Sequence, residues 1–190
     1  MANRNAPSGM KVVRHGGGGE ANRLSRHHIA SALASNIYRG DAVIPVNTSK
    51  NINVAAAAVS LLGVFDGVQY IDSNGDVQFR PRWATGTTLK TGTTADAWVY
   101  DDPDTLFEIQ VATALVVADL GAFADVTFAT AGNNSSGQSG MQLDITSLST
   151  ASAQLLMVDL IERCDNAFGT NAKVLVQINE HYRRGVMTGI

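Results

Sequence analysis

The side chains with the most obvious chemical reach lie close together: Asp96, Asp101, Asp102, Asp104 and Glu108 put five carboxylates within thirteen positions of a 190-residue chain. Carboxylate oxygens gathered on a tight loop are what a hard cation such as Ca²⁺ takes as ligands. The spacing differs from that of a helix-flanked Ca²⁺ loop, and Asp101-Asp102-Pro103-Asp104 is strong turn chemistry by itself. A solvated turn is therefore the preferred reading, with Ca²⁺ binding, and a metal-assisted hydrolase built on it, as the lesser one.

Other constellations are thinner. The four histidines are His15, His27, His28 and His181, and no Cys/His group has zinc-ligand spacing. The serines between Gly132 and Gly140 lack the Gly-x-Ser-x-Gly elbow that exposes a nucleophile between strand and helix. Gly16 to Gly19 lack the Gly-Lys-Ser/Thr ending of a phosphate-cradling loop. The sequence thus predicts no catalytic residue, no cofactor and no resident metal. The lone Cys164 excludes an internal disulfide and reads as a small core residue.

Charge is distributed unevenly. Residues 1–28 hold Arg4, Lys11, Arg14, Arg23 and Arg26 against Glu20, a balance of +4, and the remaining nine basic and sixteen acidic side chains give −7. A basic, Gly-rich segment attached to an acidic body fits a tail that docks on an acidic partner. The acidic body argues against an extended nucleic-acid face, so no direct nucleic-acid contact is expected. No apolar run approaches the roughly 18 residues of a membrane span, and the N-terminus lacks a signal-peptide pattern. No membrane partner is expected.

The elements that would position these groups read mainly as short strands. Residues 41–46 and 51–54 form two, separated by the polar turn Asn47 to Lys50. Asn74-Gly75 suits a type I′ turn, which pairs 69–72 with 77–80 and sets Tyr70 opposite Phe79. Trp98 to Tyr100 is a strand stopped by the Asp/Pro turn. Phe107, Ile109 and Val111 alternate with Glu108 and Gln110, as Val174, Val176 and Ile178 do later. Residues 121–128 and 141–145 add strands around a Gly/Ser/Asn-rich loop at 132–140. Periodicity alone favours a helix at 153–164, where Ala153, Leu156, Met157, Leu160, Ile161 and Cys164 recur at helical spacing. Trp83, Trp98, Tyr70 and Phe79 read as core or interface aromatics.

The expected fold is mainly β, a barrel- or sandwich-like body with few short helices. The expected organisation is an extended N-terminal arm over 1–39 and a β-rich body over 40–190, built as one unit or as two small intertwined β modules.

Several segments resemble a family of small structural proteins of tailed bacteriophages. They are Met1 to Met10 leading to Val13-Arg14-His15, Tyr100 to Asp104 with Phe107 to Gln110, Asp165-Asn166-Ala167, and Asn171 to Val176. The resemblance spans the chain, with departures at Gly16 to Gly19 and at 129–152. It implies a capsid decoration, or cement, subunit: a β-rich body and an arm that clamps neighbouring major capsid protein subunits, assembled as a homotrimer on the head surface of a virion made in the bacterial cytoplasm. It also implies strand rather than helix at 153–164. On that reading Arg4, Lys11, Arg14, His15, Arg23 and Arg26 are the expected capsid contacts. The alternative is a virion surface binding module that uses the 129–152 loop to touch host glycans or proteins.

Overall fold

The computed structural model describes residues 3–19, 23–46 and 50–186. The chain runs β1 (Lys11–His15), β2 (Ser25–Ile29), β3 (Ile37–Tyr38), β4 (Ala42–Pro45), β5 (Ile52–Val54), β6 (Gly63–Ile71), β7 (Val77–Arg80), β8 (Arg82–Trp83) and β9 (Ala95–Tyr100). It continues through β10 (Thr105–Gln110), β11 (Ala114–Leu115), β12 (Phe123–Thr127), β13 (Gln142–Ser149), β14 (Leu155–Leu160), β15 (Gly169–Thr170), β16 (Lys173–Ile178), β17 (Glu180–His181) and β18 (Gly185–Val186). The helical content among the described residues is one 3₁₀ turn, Val117–Asp119.

Two antiparallel sheets carry the fold. The first has the order β1-β10-β16-β14-β12-β13, and the second β2-β9-β6-β4-β5, with β7 added beside β6. Each sheet curls toward itself without closing into a barrel. In the first, Val111 of the strand extension meets Leu143, and Ala112 N–H donates to Leu143 C=O at 2.9 Å. In the second, His28 bridges to Asn51, and its N–H reaches Lys50 C=O at 3.2 Å.

The second sheet is drawn from residues 25–100, while the first takes β1 from before that stretch and the rest from after it. The chain therefore leaves the first sheet, builds the second and returns. Each sheet has its own core. Phe107, Ile109, Leu143, Leu155, Met157, Val174 and Val176 belong to one, and Ile29, Ile37, Phe65, Trp83, Ala97 and Val99 to the other. Alternation along β4 and β6 joins them: Ala42 and Val64 point into the first core, Val43 and Phe65 into the second. Burial on both faces of this corner removes apolar area that a one-sided sheet would leave wet, at roughly 25 cal/mol per Å².

The alternating faces expected at 107–111 and 174–178 are observed, with all six side chains buried. Three other expectations change. Residues 155–160 form a strand, as the resemblance implied and against the helical periodicity. Leu155 and Met157 face the core, Leu156 and Val158 lie on the outer face, and a bulge between Met157 and Asp159 resets the phase.

The 69–80 hairpin also forms, but with Tyr70 opposite Gln78 and Gln69 opposite Phe79. Asp72 accounts for the slip. Its carboxylate accepts the N–H groups of Asn74 (2.9 Å) and Asp76 (3.0 Å), and Gly75 takes φ +96° as the extra residue of a bulged turn. Cys164, expected in the core, is exposed.

β1 and β2 are sheet strands, and the segment ahead of β1 is tied to the body by side-chain hydrogen bonds rather than reaching away from it. β1 pairs with β10 and β2 with β9. Ahead of β1, the Asn3 side chain donates to Ala167 C=O (2.7 Å) and Thr170 C=O (2.9 Å), and its oxygen accepts Ala167 N–H. Gln110 accepts Ala6 N–H and donates to Asn5 Oδ1, both at 2.9 Å, and Met10 is buried. Met10 N–H also donates to Gly40 C=O at 2.9 Å, so the stretch is tied to the body at several points. The Asn47 to Lys50 turn lies outside the described residues except for Lys50.

Candidate functional site

The acidic turn sits where the chain crosses between the two sheets. Asp101 to Asp104 joins β9 to β10, and the other crossing, from β1 to β2, runs beside it: Gly16 N–H donates to Asp104 C=O at 2.8 Å. Asp104 N–H donates to the Asp102 carboxylate at 2.9 Å, the Asx geometry that Asp-x-Asp favours.

Asp101 is buried at the centre of the crossing. Its Oδ1 accepts the Ser25 hydroxyl at 2.7 Å, and its Oδ2 lies 3.1 Å from His27 Nε2 and 2.8 Å from Arg183 Nη1. Burial pushes this carboxyl up, but the hydrogen bonds from His27 and Ser25 and the Arg183 charge outweigh it and hold the acid below its ordinary value. Next to it, burial and the Arg183 charge push the buried His181 imidazole down. Ser, His and Asp thus meet here, but the serine hydroxyl donates to the carboxylate rather than to the imidazole. A nucleophile relay requires the serine on the base, so this arrangement is a tie between strands.

His15, Asp102 and Asp104 bring three potential ligand atoms within 4.8 Å of one another. The His15 ring is already engaged at both nitrogens. Nδ1 accepts Gly17 N–H at 3.1 Å and Gly19 N–H at 3.4 Å, which assigns the ring proton to Nε2, 3.4 Å from the Asp102 carboxylate. Arg184 Nη1 lies 2.7 Å from Asp104. Each member of the set is therefore already engaged by a partner within the chain. The glycine run wraps the imidazole of its own strand, with Gly18 at φ +76° supplying the bend.

Of the five carboxylates, the fold brings Asp101, Asp102 and Asp104 together and sends the other two elsewhere. Asp96 lies 3.0 Å from His28 Nδ1 and 3.4 Å from Arg26 Nη1. Glu108 accepts both Arg163 amino groups at 3.1 and 3.2 Å and lies 3.3 Å from Lys173 Nζ.

The six expected contact residues are dispersed over the surface. Lys11 and Arg14 stand on β1 opposite Glu108 and Leu106, on the outer face of the first sheet. Arg4 lies in the segment before β1, and Arg23 just before β2. All four are exposed, and among the described residues none has an ion-pair partner. Arg26, also exposed, reaches Asp96, and His15 is half-buried against Asp102.

A second tie went unread in the sequence. Asp41, buried beside β4, accepts the Ser139 hydroxyl at 2.5 Å and Tyr38 N–H at 2.8 Å, and Ser139 Oγ accepts Met141 N–H at 2.9 Å. Burial pushes the Asp41 carboxyl up to about 6, against the lowering effect of its two hydrogen bonds. This tie, with Arg39 N–H on Gly137 C=O and Ser139 N–H on Arg39 C=O, fastens the 132–140 loop to the second sheet. The Gly/Ser/Asn-rich loop is pinned there, with residues 133–136 left exposed.

No family model, curated protein or solved structure matches this chain.

Proposed function

We propose that this protein is a non-enzymatic virion structural protein, a capsid decoration subunit that binds the outside of a phage head and bridges neighbouring major capsid protein subunits. The observation that carries the proposal is the pair of exposed cations Lys11 and Arg14 on β1, with Arg4 and Arg23 exposed in the segments before β1 and β2, all four without carboxylate partners among the described residues. Positive charges on fixed strands are preorganised for an acidic partner surface, which lowers the ordering cost of binding. The resemblance of the segments from Met1 to Val176 to phage structural proteins supports the same reading, as does a β-built body whose acidic turn serves as a cross-tie.

Bridging suits a particle under internal pressure. Each contact adds an interface on the order of 1,000 Å² or more, and repetition over the lattice adds avidity. In this reading the partners are the major capsid protein and further copies of the chain, assembled as trimers on the head surface. Because β1 and β2 belong to the sheets, the test is charge reversal rather than removal of the N-terminus. Lys11→Glu with Arg14→Glu should lose occupancy on heads that lack the native subunit while keeping the fold.

The alternative, a host-binding module, rests on the exposed tip Asn133–Ser136 of the pinned loop. Glycan-array signal that disappears when 133–136 are replaced favours it; no signal at high protein concentration counts against it.

A further inference from the structure

β7 is an edge strand of an unusual kind. It pairs with β6 on one side, and among the described residues nothing pairs with the other. Asp72 N–H donates to Asp76 C=O at 3.0 Å. By antiparallel alternation, Asp76, Gln78 and Arg80 then turn their backbone groups toward β6, while Val77 and Phe79 turn theirs outward. The side chains of Val77 and Phe79 share one face and are 54% and 70% exposed, Phe79 being the most exposed large apolar side chain among the described residues. Open strand edges are commonly blunted by bulges and lysines. β1 follows that rule, with a bulge between Val12 and Arg14 and two cations, whereas β7 pairs without a bulge, carries no lysine and has its single cation, Arg80, at its last position.

Asp76-Val77-Gln78-Phe79-Arg80 is also self-complementary: acid, apolar, polar, apolar, base. Laid antiparallel on a second copy with Gln78 facing Gln78, each Asp76 falls opposite the other copy's Arg80, and each Val77 opposite Phe79. In the same register the outward N–H and C=O groups of Val77 and Phe79 meet as hydrogen-bonded pairs, and the Gln78 pair is the close, non-hydrogen-bonded kind. Arg80 has no carboxylate within ion-pair distance among the described residues; its guanidinium donates to Gln78 Oε1 at 3.0 Å.

We infer that the free edge of β7 pairs antiparallel with the same edge of a second copy of this chain, about a two-fold axis at Gln78. Backbone pairing supplies the attraction, Val77 and Phe79 bury each other, and the Asp76 to Arg80 pairs fix direction and register. The contact stands independently of the capsid partner proposed above. On a head surface it would link neighbouring decoration units at local two-fold positions.

The test uses the full chain. In a Cys164→Ser background, Gln78→Cys should form an intermolecular disulfide under mild oxidation, because the paired positions face each other at disulfide range. Asp76→Cys should not. Sedimentation should show self-association that Asp76→Arg weakens roughly tenfold through two like-charge pairs per dimer and that Asp76→Arg with Arg80→Asp restores. Circular dichroism checks that each variant folds. Absence of the 78–78 disulfide overturns the inference, as does self-association indifferent to Asp76→Arg or a chain that stays monomeric at high concentration.

Discussion

The Ser139 hydroxyl donates to the Asp41 carboxylate at 2.5 Å across 98 positions of sequence, in a pocket where both side chains are buried. This bond joins the loop before β13 to the start of β4 and therefore couples the two sheets. It also keeps an ionisable group where its charge is poorly solvated.

That placement gives stability a pH dependence of definite sign. The folded-state pKa of Asp41 is about 6 against an ordinary 3.8. Between those values the folded chain holds a proton that the unfolded chain has lost, so this group favours folding more as pH falls from neutral toward 4. Urea unfolding at pH 4.5 should show about 2 kcal/mol more stability from this group than at pH 7.5. Asp41→Asn should flatten that window; an unchanged profile in the variant would remove Asp41 as its source.

Asp101 acts in the opposite sense. Its folded-state pKa lies below 3.8, so the stability it confers is present above that value and is lost as pH falls through the lower one. Asp101→Ala strands Ser25, His27 and Arg183 at the crossing and should cost about 3 kcal/mol at pH 7 in chemical denaturation. A loss below about 0.5 kcal/mol, the range of ordinary surface changes, would mean that the crossing is held by other contacts.

Gly40 combines φ +94° with a backbone approach so close that an added Cβ would lie 2.7 Å from Ser8 C=O. The strain and the clash act together, so Gly40→Ala should destabilise by more than about 2 kcal/mol. Thermal unfolding of the variant beside Gly86→Ala makes the comparison. Gly86 shares the positive φ, at +78°, but an added Cβ there meets nothing within 4 Å. Equal losses at the two positions would show that the Ser8 crossing is not tight.

Cys164 is exposed in the segment after β14. It should react with a thiol reagent in the native state at a rate close to that of a free peptide, and Cys164→Ser should change stability by less than about 0.5 kcal/mol. Slow labelling that requires denaturant would place the residue back in a core.

Much of the fold was legible because strands declare themselves locally. Phe107-x-Ile109-x-Val111 and Val174-x-Val176-x-Ile178 each place alternate side chains in the core. Where a bulge breaks the phase, as between Met157 and Asp159, alternation loses its contrast and helical spacing appears by accident. The hairpin slipped by one residue because Asn74-Gly75 is read from backbone preference alone, while the Asp72 carboxylate that captures two N–H groups makes Gly75 a bulge.

The candidate site was harder to read. The acidic turn was visible as a turn, but its binding partners Ser25, His27 and Arg183 are distant in sequence, and no local spacing connects them to Asp101. The same holds for Asp41 and Ser139. The basic N-terminal stretch looks like a free arm because its Gly-rich composition resembles that of one. What fastens it are strand pairing with β10 and β9 and the Asn3 and Gln110 side chains, which composition does not reveal.

The most direct test of the decoration proposal is cryo-electron microscopy of heads that lack the native subunit, after incubation with the purified wild-type chain or with the Lys11→Glu, Arg14→Glu variant. The wild-type chain should give protruding density at three-fold or quasi-three-fold positions, and the charge-reversed chain, still folded, should bind at least roughly tenfold more weakly. Equal occupancy by the two proteins, or wild-type density confined to the neck or tail, would contradict the account.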